Sequence, residues 1–327
     1  MKSIKYLSVL LLFLLAFQVR GQELSGIPGA FVDIGFGARP SAMGFAYAGL
    51  ADDVHSVIWN PAGLSNLRKK QAAFTYTDQL GLVSYHYLAA SMPLSRIDKK
   101  TIGLAVISSG DKALREWTIQ GSYSQEFHGF LVGASLKFRY ASFGNNSINE
   151  SDYVIFEPDE INDGILNQVY GSASGFGIDI GAMYMLTEKV TLGLMLKDIY
   201  SPIFWDSQND NPVAKPKGKY DELIPFEAVL GTSIKITDNI IAAVDYSPNF
   251  LSESNARISG GAEWKLFDIV YARGGMQYFA NQYNDERYSI GTGLDLKVIK
   301  DLRVLIDFTY LFEEIDNSLR FSLGVEF

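Results

Sequence analysis

The sequence contains no cysteine and only three histidines, His55, His86 and His128, among its 327 residues. The lack of thiols excludes disulfides, cysteine-ligated metal centres and a lipoprotein anchor. The spacing of the histidines resembles no metal site, so we assign them structural or surface roles. After residue 17 the chain also lacks an apolar run of about 18 to 20 residues, the length that a membrane-spanning helix needs. We therefore expect no metal and no cofactor.

Basic residues are few, with 28 Lys and Arg against 37 Asp and Glu, and the formal charge is −9 at pH 7. Proteins that bind nucleic acid neutralise phosphates with clustered Lys and Arg, so nucleic acid is not an expected partner. The chain also has no Gly-x-Ser-x-Gly elbow, Walker loop or His-Glu-x-x-His motif. We therefore expect no catalytic residue and no enzymatic activity.

Residues 1–21 have the three parts of a signal peptide. Lys2 and Lys5 precede an apolar run over residues 6–17, and Gly21 suits a cleavage site. The run is shorter than a membrane-spanning helix, which favours a cleaved signal over a retained anchor. This segment predicts export of the chain.

Residues 71–327 show period-two alternation in short segments, and long amphipathic helical patterns are absent from the sequence. A protein that enters a membrane without an apolar helix satisfies its backbone hydrogen bonds only as a closed barrel. We therefore predict an all-β fold, a transmembrane antiparallel β-barrel of about 14 strands with an N-terminal hatch or plug. The predicted strands are 71–78, 82–92, 101–109, 115–127, 129–141, 174–187, 189–199, 225–237, 239–247, 256–267, 269–280, 286–298, 301–311 and 318–327.

The last predicted strand alternates most clearly. Leu319, Phe321 and Leu323 would face lipid, and Arg320 and Ser322 would face the lumen. In the predicted strand 129–141, Lys137 and Arg139 would also face the lumen. The links between strands alternate between short periplasmic turns and longer external loops, of which 142–173 and 200–224 are the longest. A soluble β-sandwich is the alternative fold, but a sandwich does not require this alternation of link lengths.

The longer of these two loops, 142–173, is acidic between residues 150 and 163. Acidic oxygens could bind calcium, but their spacing matches no known calcium-binding loop. A solvated acidic loop, or a surface for a partner, is the favoured interpretation.

Residues 22–70 have a different composition, typical of short helices and turns. Asp52 or Asp53 can cap a short helix, and Asn60-Pro61 starts a turn. Small residues at 37, 38, 42, 44, 46, 48 and 49 would let the backbone pack closely inside a lumen. The segment is therefore predicted to be a hatch, with a periplasmic tail as the alternative.

Two motifs in this segment resemble the N-terminal signature of FadL-type outer-membrane proteins and, more closely, of the PorV/PorQ family. They are the run from Gly37 to Asp53 and the run from Trp59 to Leu64. The resemblance implies a fourteen-stranded barrel in the bacterial outer membrane, surrounded by lipid and closed by a hatch. The hatch motif residues that it implies are Asp52, Asp53, Asn60, Pro61 and Gly63.

A few apolar side chains fall on the inward register of the predicted strands. Around the turn at 187–189, Met183 would face Gly193 and Met195 would face Gly181, a large-against-small pattern that favours packing against the hatch. A pocket for a hydrophobic ligand is the alternative. The candidate ligand-contacting residues are Leu131, Met183, Met195 and Val229.

Two functions remain open from the sequence. The resemblance to PorV/PorQ implies a non-catalytic accessory of type IX protein secretion that binds or shuttles secreted proteins, with protein partners docked on its long external loops. The alternative is a FadL-like passive channel for long-chain fatty acids or other hydrophobic small molecules. The channel predicts an apolar tunnel and a kinked or broken strand, whereas the largely polar inward face of the barrel favours the secretion accessory.

Overall fold

The computed structural model describes residues 31, 34–79, 81, 83–111, 113–144, 169–208, 218–248, 256–280, 285–313 and 317–327. The predicted signal peptide and the acidic stretch between 150 and 163 lie outside these residues. Within the described ranges, no helix is long and apolar enough to cross a membrane.

Most of the described chain is β-strand. Fourteen strands close into an antiparallel barrel. Consecutive barrel strands pair with each other, including β5 with β6, and the first strand β1 pairs with the last strand β16. The remaining two, β8 and β9, form a hairpin that extends from β6. The strands are β1 (Gln71–Gln79), β2 (Val83–Ser95), β3 (Lys100–Gly110), β4 (Leu114–Phe127), β5 (Phe130–Phe143), β6 (Tyr170–Met185), β7 (Val190–Tyr200), β8 (Pro202–Gln208), β9 (Lys219–Leu223), β10 (Glu227–Thr237), β11 (Ile240–Ser247), β12 (Ala256–Leu266), β13 (Val270–Ala280), β14 (Glu286–Ile299), β15 (Leu302–Phe312) and β16 (Ser318–Glu326).

The predicted fourteen-stranded barrel is confirmed, and the predicted strand ends agree with the structure to within a few residues. The prediction of residues 200–224 as a loop was wrong, since this segment contains β8 and β9. The N-terminal part of β6 extends beyond its pairing with β7. There, residues 170–175 pair with β8 instead. An unpaired strand edge exposes N–H and C=O groups that another strand can satisfy.

The outer face of the barrel is apolar and the inner face polar, as the alternation predicts. On β5, Phe138 is 53% exposed, whereas the neighbouring Lys137 and Arg139 are buried. On β16, Phe321 points outward and Arg320 is almost fully buried. Both strands therefore place their apolar side chains on the outer surface and their charged side chains in the lumen.

The N-terminal segment occupies the lumen as a hatch. It contains helix α1 (Ala38–Ala42), helix α2 (Ser56–Trp59) and a 3-10 helix (Pro61–Asn66), and most of its side chains are buried. Arg320 of β16 binds it from the wall by donating hydrogen bonds to the carbonyl oxygens of Gly35 and Ile34. Backbone groups of the hatch that water cannot reach are thus satisfied by the wall.

Inward-facing glycines line the wall where the hatch backbone passes. A Cβ atom built on Gly193 would lie 2.1 Å from the carbonyl oxygen of Ala48, and one on Gly275 would lie 2.1 Å from the amide nitrogen of Gly44. The hatch therefore sits at backbone contact with the wall and leaves no room for a methyl group. The members of this glycine belt are Gly133, Gly181, Gly193, Gly231, Gly261 and Gly275.

Candidate functional site

The hatch motif residues Asn60, Pro61 and Gly63 shape the hatch itself. The Asn60 side chain donates to the carbonyl oxygen of Ala48 at 2.7 Å and accepts from the amide of Ala62 at 3.2 Å. Pro61 begins the 3-10 helix, where its missing N–H costs nothing. A Cβ on Gly63 would lie 2.0 Å from the carbonyl oxygen of Ala51. These residues therefore hold two turns of the hatch together.

Asp52 and Asp53 belong to an ion-pair cluster that ties the hatch to the wall. Arg39 donates to Asp52 at 2.5 Å and to Asp53 at 3.0 Å, and its Nε donates to Glu263 of β12 at 2.8 Å. Glu263 also accepts from Arg273 of β13 at 2.6 Å. The guanidinium group of Arg39, whose planar fork suits several carboxylates, thereby joins two turns of the hatch to β12. Glu263 extends the cluster to β13 through Arg273.

Asp53 also organises the turn before α2. Its carboxylate accepts from the amide of His55 at 2.9 Å and from the hydroxyl of Tyr47 at 2.7 Å. Burial alone would raise the pKa of Asp53, but His55, Arg39 and Tyr47 outweigh burial and hold that pKa well below its ordinary value. The carboxylate is therefore ionised at neutral pH.

The predicted pairing of methionines with glycines is confirmed. Met183 of β6 lies opposite Gly193 of β7, and Gly181 lies opposite Met195. Both methionines are at most 2% exposed. Large side chains on one strand thus fill the space left by glycine on the next.

These apolar lumen residues pack against the hatch. Leu131 and Met183 share a cluster with hatch residues that include Met43 and Phe45, while Met195 and Val229 contact Ala48 in a second cluster. The first pair lies on β5 and β6, and the second pair lies on β7 and β10. Because the two pairs fall in separate clusters, the structure does not bring the four residues into one pocket. Packing against the hatch accounts for their burial, and ligand binding at these residues stays a prediction.

Two cavities lie on opposite sides of the hatch. We name them by the orientation expected from the sequence. The periplasmic cavity, of about 300 Å³, lies at the end of the barrel that holds the C-terminus, and it is lined by many charged side chains, such as Arg39, Glu263 and Arg303. The external cavity, of about 190 Å³, is richer in aromatic and aliphatic side chains. The external cavity is lined by Phe31, Phe36, Ile58, Trp59, Tyr85, Ile107, Ser109, Glu116, Trp117, Thr118, Gln120, Lys137, Arg139, Lys197, Asp198, Ile224, Pro225 and Glu227.

The barrel wall is irregular beside the external cavity. Ile180 of β6 pairs with Leu196 of β7, but Ile178 pairs with Tyr200, so β7 carries two more residues than a regular ladder would place there. Asp198, at the centre of this bulge, has a φ of 51°. A non-glycine residue in that region marks a local distortion of the backbone. β7 is therefore kinked where it borders the external cavity.

A buried charge cluster holds the kink. Lys137 of β5 lies 2.8 Å from Asp179 and 3.2 Å from Asp198, and Arg139 lies 2.9 Å from Asp198. The backbone amide of Asp198 also donates to Asp179 at 2.8 Å. Removing one member of such a cluster leaves an unpaired buried charge, which typically costs about 3–5 kcal/mol.

Sequence reasoning missed this cluster, although it placed Lys137 and Arg139 on the inward face. The signal that could have found it is the position of Asp198. In a regular β7, residues 193, 195 and 197 face inward and residue 198 faces lipid, where a carboxylate is costly. A charged residue on the lipid register of an alternating strand therefore indicates a bulge that turns the side chain inward.

On the other side of β7 the wall is also incomplete as a ladder. The pairing of β7 with β10 begins at Lys197 and Glu227, and above it the link 224–226 takes the place of a strand. The amide of Ile224 donates to the carbonyl oxygen of Ser201 at 2.9 Å. Ile224 and Pro225 from this link line the external cavity. A short irregular segment, instead of a continuous strand, thus separates the cavity from the outside of the barrel.

No protein-family model matches the sequence, and no curated protein sequence matches it. Solved structures do resemble the fold. They include the CymD monoaromatic hydrocarbon channel, with 15% identity, a TM-score of 0.59 and coverage of 91% of this chain and 98% of the other. The toluene transporter TbuX of Ralstonia pickettii has 14% identity, a TM-score of 0.60 and coverage of 89% and 98%. A FadL homologue of Pseudomonas aeruginosa has 13% identity, a TM-score of 0.57 and coverage of 86% and 95%.

The likeness extends over nearly the whole of each chain, at an identity too low to transfer a function. The chain therefore has the fold of FadL-like hydrocarbon transporter barrels.

Proposed function

We propose that this protein is an outer-membrane channel that admits small hydrophobic molecules through its external cavity. The observation that carries the proposal is the position of this cavity, in which nine of the eighteen lining residues are aromatic or aliphatic and which lies directly beside the kink of β7 at Asp198. A concave site with many aromatic and aliphatic side chains is typical of a binding site for apolar ligands. The similar folds of known hydrocarbon channels support the proposal.

The outer surface of the barrel supports its placement in a membrane. Exposed large apolar side chains occur on nearly every barrel strand, for example Leu136, Ile290 and Phe321. A contiguous apolar surface of this kind is stable in lipid and would aggregate in water. The export signal expected from the sequence agrees with an outer-membrane location.

The volume of the external cavity favours a compact ligand. It measures about 190 Å³, whereas a dry protein cavity of about 150 Å³ is enough to bind benzene. A single-ring hydrocarbon would fit this space, and a long-chain fatty acid would need considerably more. Small aromatic or alicyclic compounds are therefore the ligands that we propose.

A route through the centre of the barrel is closed by the hatch, which the glycine belt holds at backbone contact with the wall. The kinked end of β7 and the link 224–226 offer a route through the side of the wall. A hydrophobic molecule that leaves there enters the apolar part of the bilayer without crossing the charged periplasmic cavity. This path would use the kinked strand that the channel hypothesis predicts.

The secretion accessory, which we placed first from the sequence, has less support. Solved structures that resemble this fold include two hydrocarbon transporters and a FadL homologue. A secretion partner would dock on the segments 142–173 and 200–224, of which residues 145–168 and 209–217 lie outside the described residues. We therefore prefer the channel.

The test is to fill the external cavity. Ile107 of β3 lines the cavity, so Ile107→Trp should reduce uptake of radiolabelled toluene by about tenfold or more in cells that export the full chain. The matched control is Val106→Trp on the same strand, which points to the opposite face and should leave uptake unchanged. Equal uptake by the Ile107→Trp variant, present in the outer membrane at the wild-type level, would contradict the proposed function.

A further inference from the structure

One carboxylate in the external cavity differs from the others. Glu116 of β4 lines the cavity and is 7% exposed. Its two oxygens accept from the amide of Phe31 at 2.5 Å and from the hydroxyl of Ser109 at 3.1 Å. Both of these donors are neutral groups.

The other two carboxylates that line the external cavity are neutralised by cations. Asp198 pairs with Lys137 and Arg139, and Glu227 pairs with Arg257. In contrast, no Lys, Arg or His nitrogen of the described residues lies within 4.0 Å of the Glu116 carboxylate. Glu116 is therefore a buried carboxylate without a protein cation, within the part of the chain that the structure describes.

Burial of a carboxylate away from water is unfavourable unless a cation or several hydrogen bonds compensate for the lost hydration. Two neutral donors compensate in part. A positive charge on a ligand in the cavity would compensate for the remaining lost hydration. Such a ligand would stabilise the carboxylate of Glu116 more than those of Asp198 and Glu227, which are already paired.

The walls around Glu116 are suited to the same kind of ligand. The rings of Phe31, Phe36 and Tyr85 line the cavity together with Glu116, whereas the ring of Trp59 is already covered by the ammonium group of Lys197, 5.2 Å from its centroid. Aromatic faces attract ammonium groups through the ring quadrupole, and they also bury an apolar ligand body. Lys137 and Arg139 also line the cavity, but Asp198 neutralises them. Aromatic walls beside a carboxylate that has no cation among the described residues are thus complementary to an amphipathic cation.

We infer that the external cavity selects small apolar molecules that carry a protonated amine, and that Glu116 binds the ammonium group. This inference rests on the proposed channel function and names the ligand class of the same cavity. Glu116 then determines specificity, because a neutral hydrocarbon uses the same walls without using the carboxylate.

The test compares two probes that differ by one group, toluene and benzylammonium. Isothermal titration of the full-length barrel in detergent should show tighter binding of benzylammonium than of toluene. Glu116→Gln should weaken benzylammonium by about tenfold or more, since a hydrogen bond between two charged groups is lost, and should leave toluene unchanged. Glu126→Gln, on the same strand at its periplasmic end and paired with Lys99, is the matched control and should alter neither affinity.

The possible results separate the inference from the function on which it rests. Equal affinity of the wild type for both probes, or an unchanged benzylammonium affinity in Glu116→Gln, would overturn the role of Glu116. Unchanged toluene binding by the same variant would establish that the cavity is intact. Failure of the wild type to bind toluene would instead count against the channel itself.

Discussion

At the scale of single residues, glycines in the wall hold the hatch in place, because they let its backbone approach the wall closely. The carbonyl oxygen of Ala48 would lie 2.1 Å from a Cβ on Gly193, and the carbonyl oxygen of Met43 would lie 2.3 Å from a Cβ on Gly261. The glycine belt removes the Cβ at each of these places. The closeness of the hatch to the wall depends on these positions and not on large apolar contacts alone.

Adding one methyl group to the belt should loosen the hatch. Gly193→Ala would overpack the contact with Ala48, and overpacking of this kind typically costs about 1–3 kcal/mol. We expect limited proteolysis to cut the N-terminal segment of this variant faster than that of the wild type. Gly121→Ala, where no atom lies within 4 Å of the added Cβ, is the control. If both variants were as resistant to protease as the wild type, the belt would not hold the hatch.

For the buried charge cluster, the sequence predicted the faces of the two cations but not the position of their carboxylate partner. The sequence placed Lys137 and Arg139 on the inward face, which the structure confirms. Their partner Asp198 reaches them only through the bulge in β7. Because an alternation pattern assumes one residue per step, it assigns the wrong face to any residue within a bulge.

At the scale of elements, the region from β7 to β10 departs from a regular barrel. β7 carries two extra residues, β8 replaces it beside β6, and the link 224–226 continues the wall. Local sequence gave little indication of the hairpin, because β8 is stabilised by the free edge of a distant strand. β-strand propensity depends on such neighbours more than on the segment itself.

Removing the bulge should close the side of the barrel. Deletion of Asp198 and Ile199 would bring Tyr200 into register opposite Ile178 and restore a regular ladder between β6 and β7. We expect toluene uptake to fall to the background of cells without the protein, measured against equal amounts of barrel in the outer membrane.

The control for this deletion removes two residues from the range 209–217, between β8 and β9 in the chain, and should leave uptake unchanged. Since the deletion also removes the charge of Asp198, Asp198→Asn should be measured in parallel, as it retains the chain length. A deleted variant that transports toluene at the wild-type rate would refute the side route.

At the scale of the whole molecule, the fold is a closed hydrogen-bonded ring. The β1–β16 ladder joins the first and last strands over eight residue pairs, from Gln71 with Glu326 to Asp78 with Leu319. A closed barrel has no free edge around its circumference, so its backbone is satisfied without water. The ring and the hatch inside it are expected to unfold together.

The protein purified from outer membranes in mild detergent should migrate as a compact form in unheated gels and shift on boiling. For a channel, we expect the barrel to be recovered with an enriched apolar compound, identified by mass spectrometry of extracted small molecules. Stoichiometric recovery of large secretion components would favour the secretion accessory instead. Recovery only in the soluble fraction, without a mobility shift, would argue against a membrane barrel altogether.

The sequence by itself determined the fold class, the number of barrel strands, the inward and outward faces and the opposition of Met183 to Gly193. All of these follow from a period of two residues and from short turns, which are local properties of the chain. The prediction of a hatch segment before the first strand also followed from composition, whereas the hatch motif residues came from the family resemblance.

Only the tertiary structure decided where the wall is kinked and which glycines meet the hatch. It also decided which carboxylate of the external cavity has no cation nearby among the described residues. Each of these depends on contacts between residues far apart in the chain, such as Glu116 with Phe31 and Asp198 with Lys137. A sequence pattern specifies which face a side chain occupies, but the register between strands and the path of the hatch determine which group it meets there. The candidate site is built from such meetings, and for that reason it became visible only in the folded barrel.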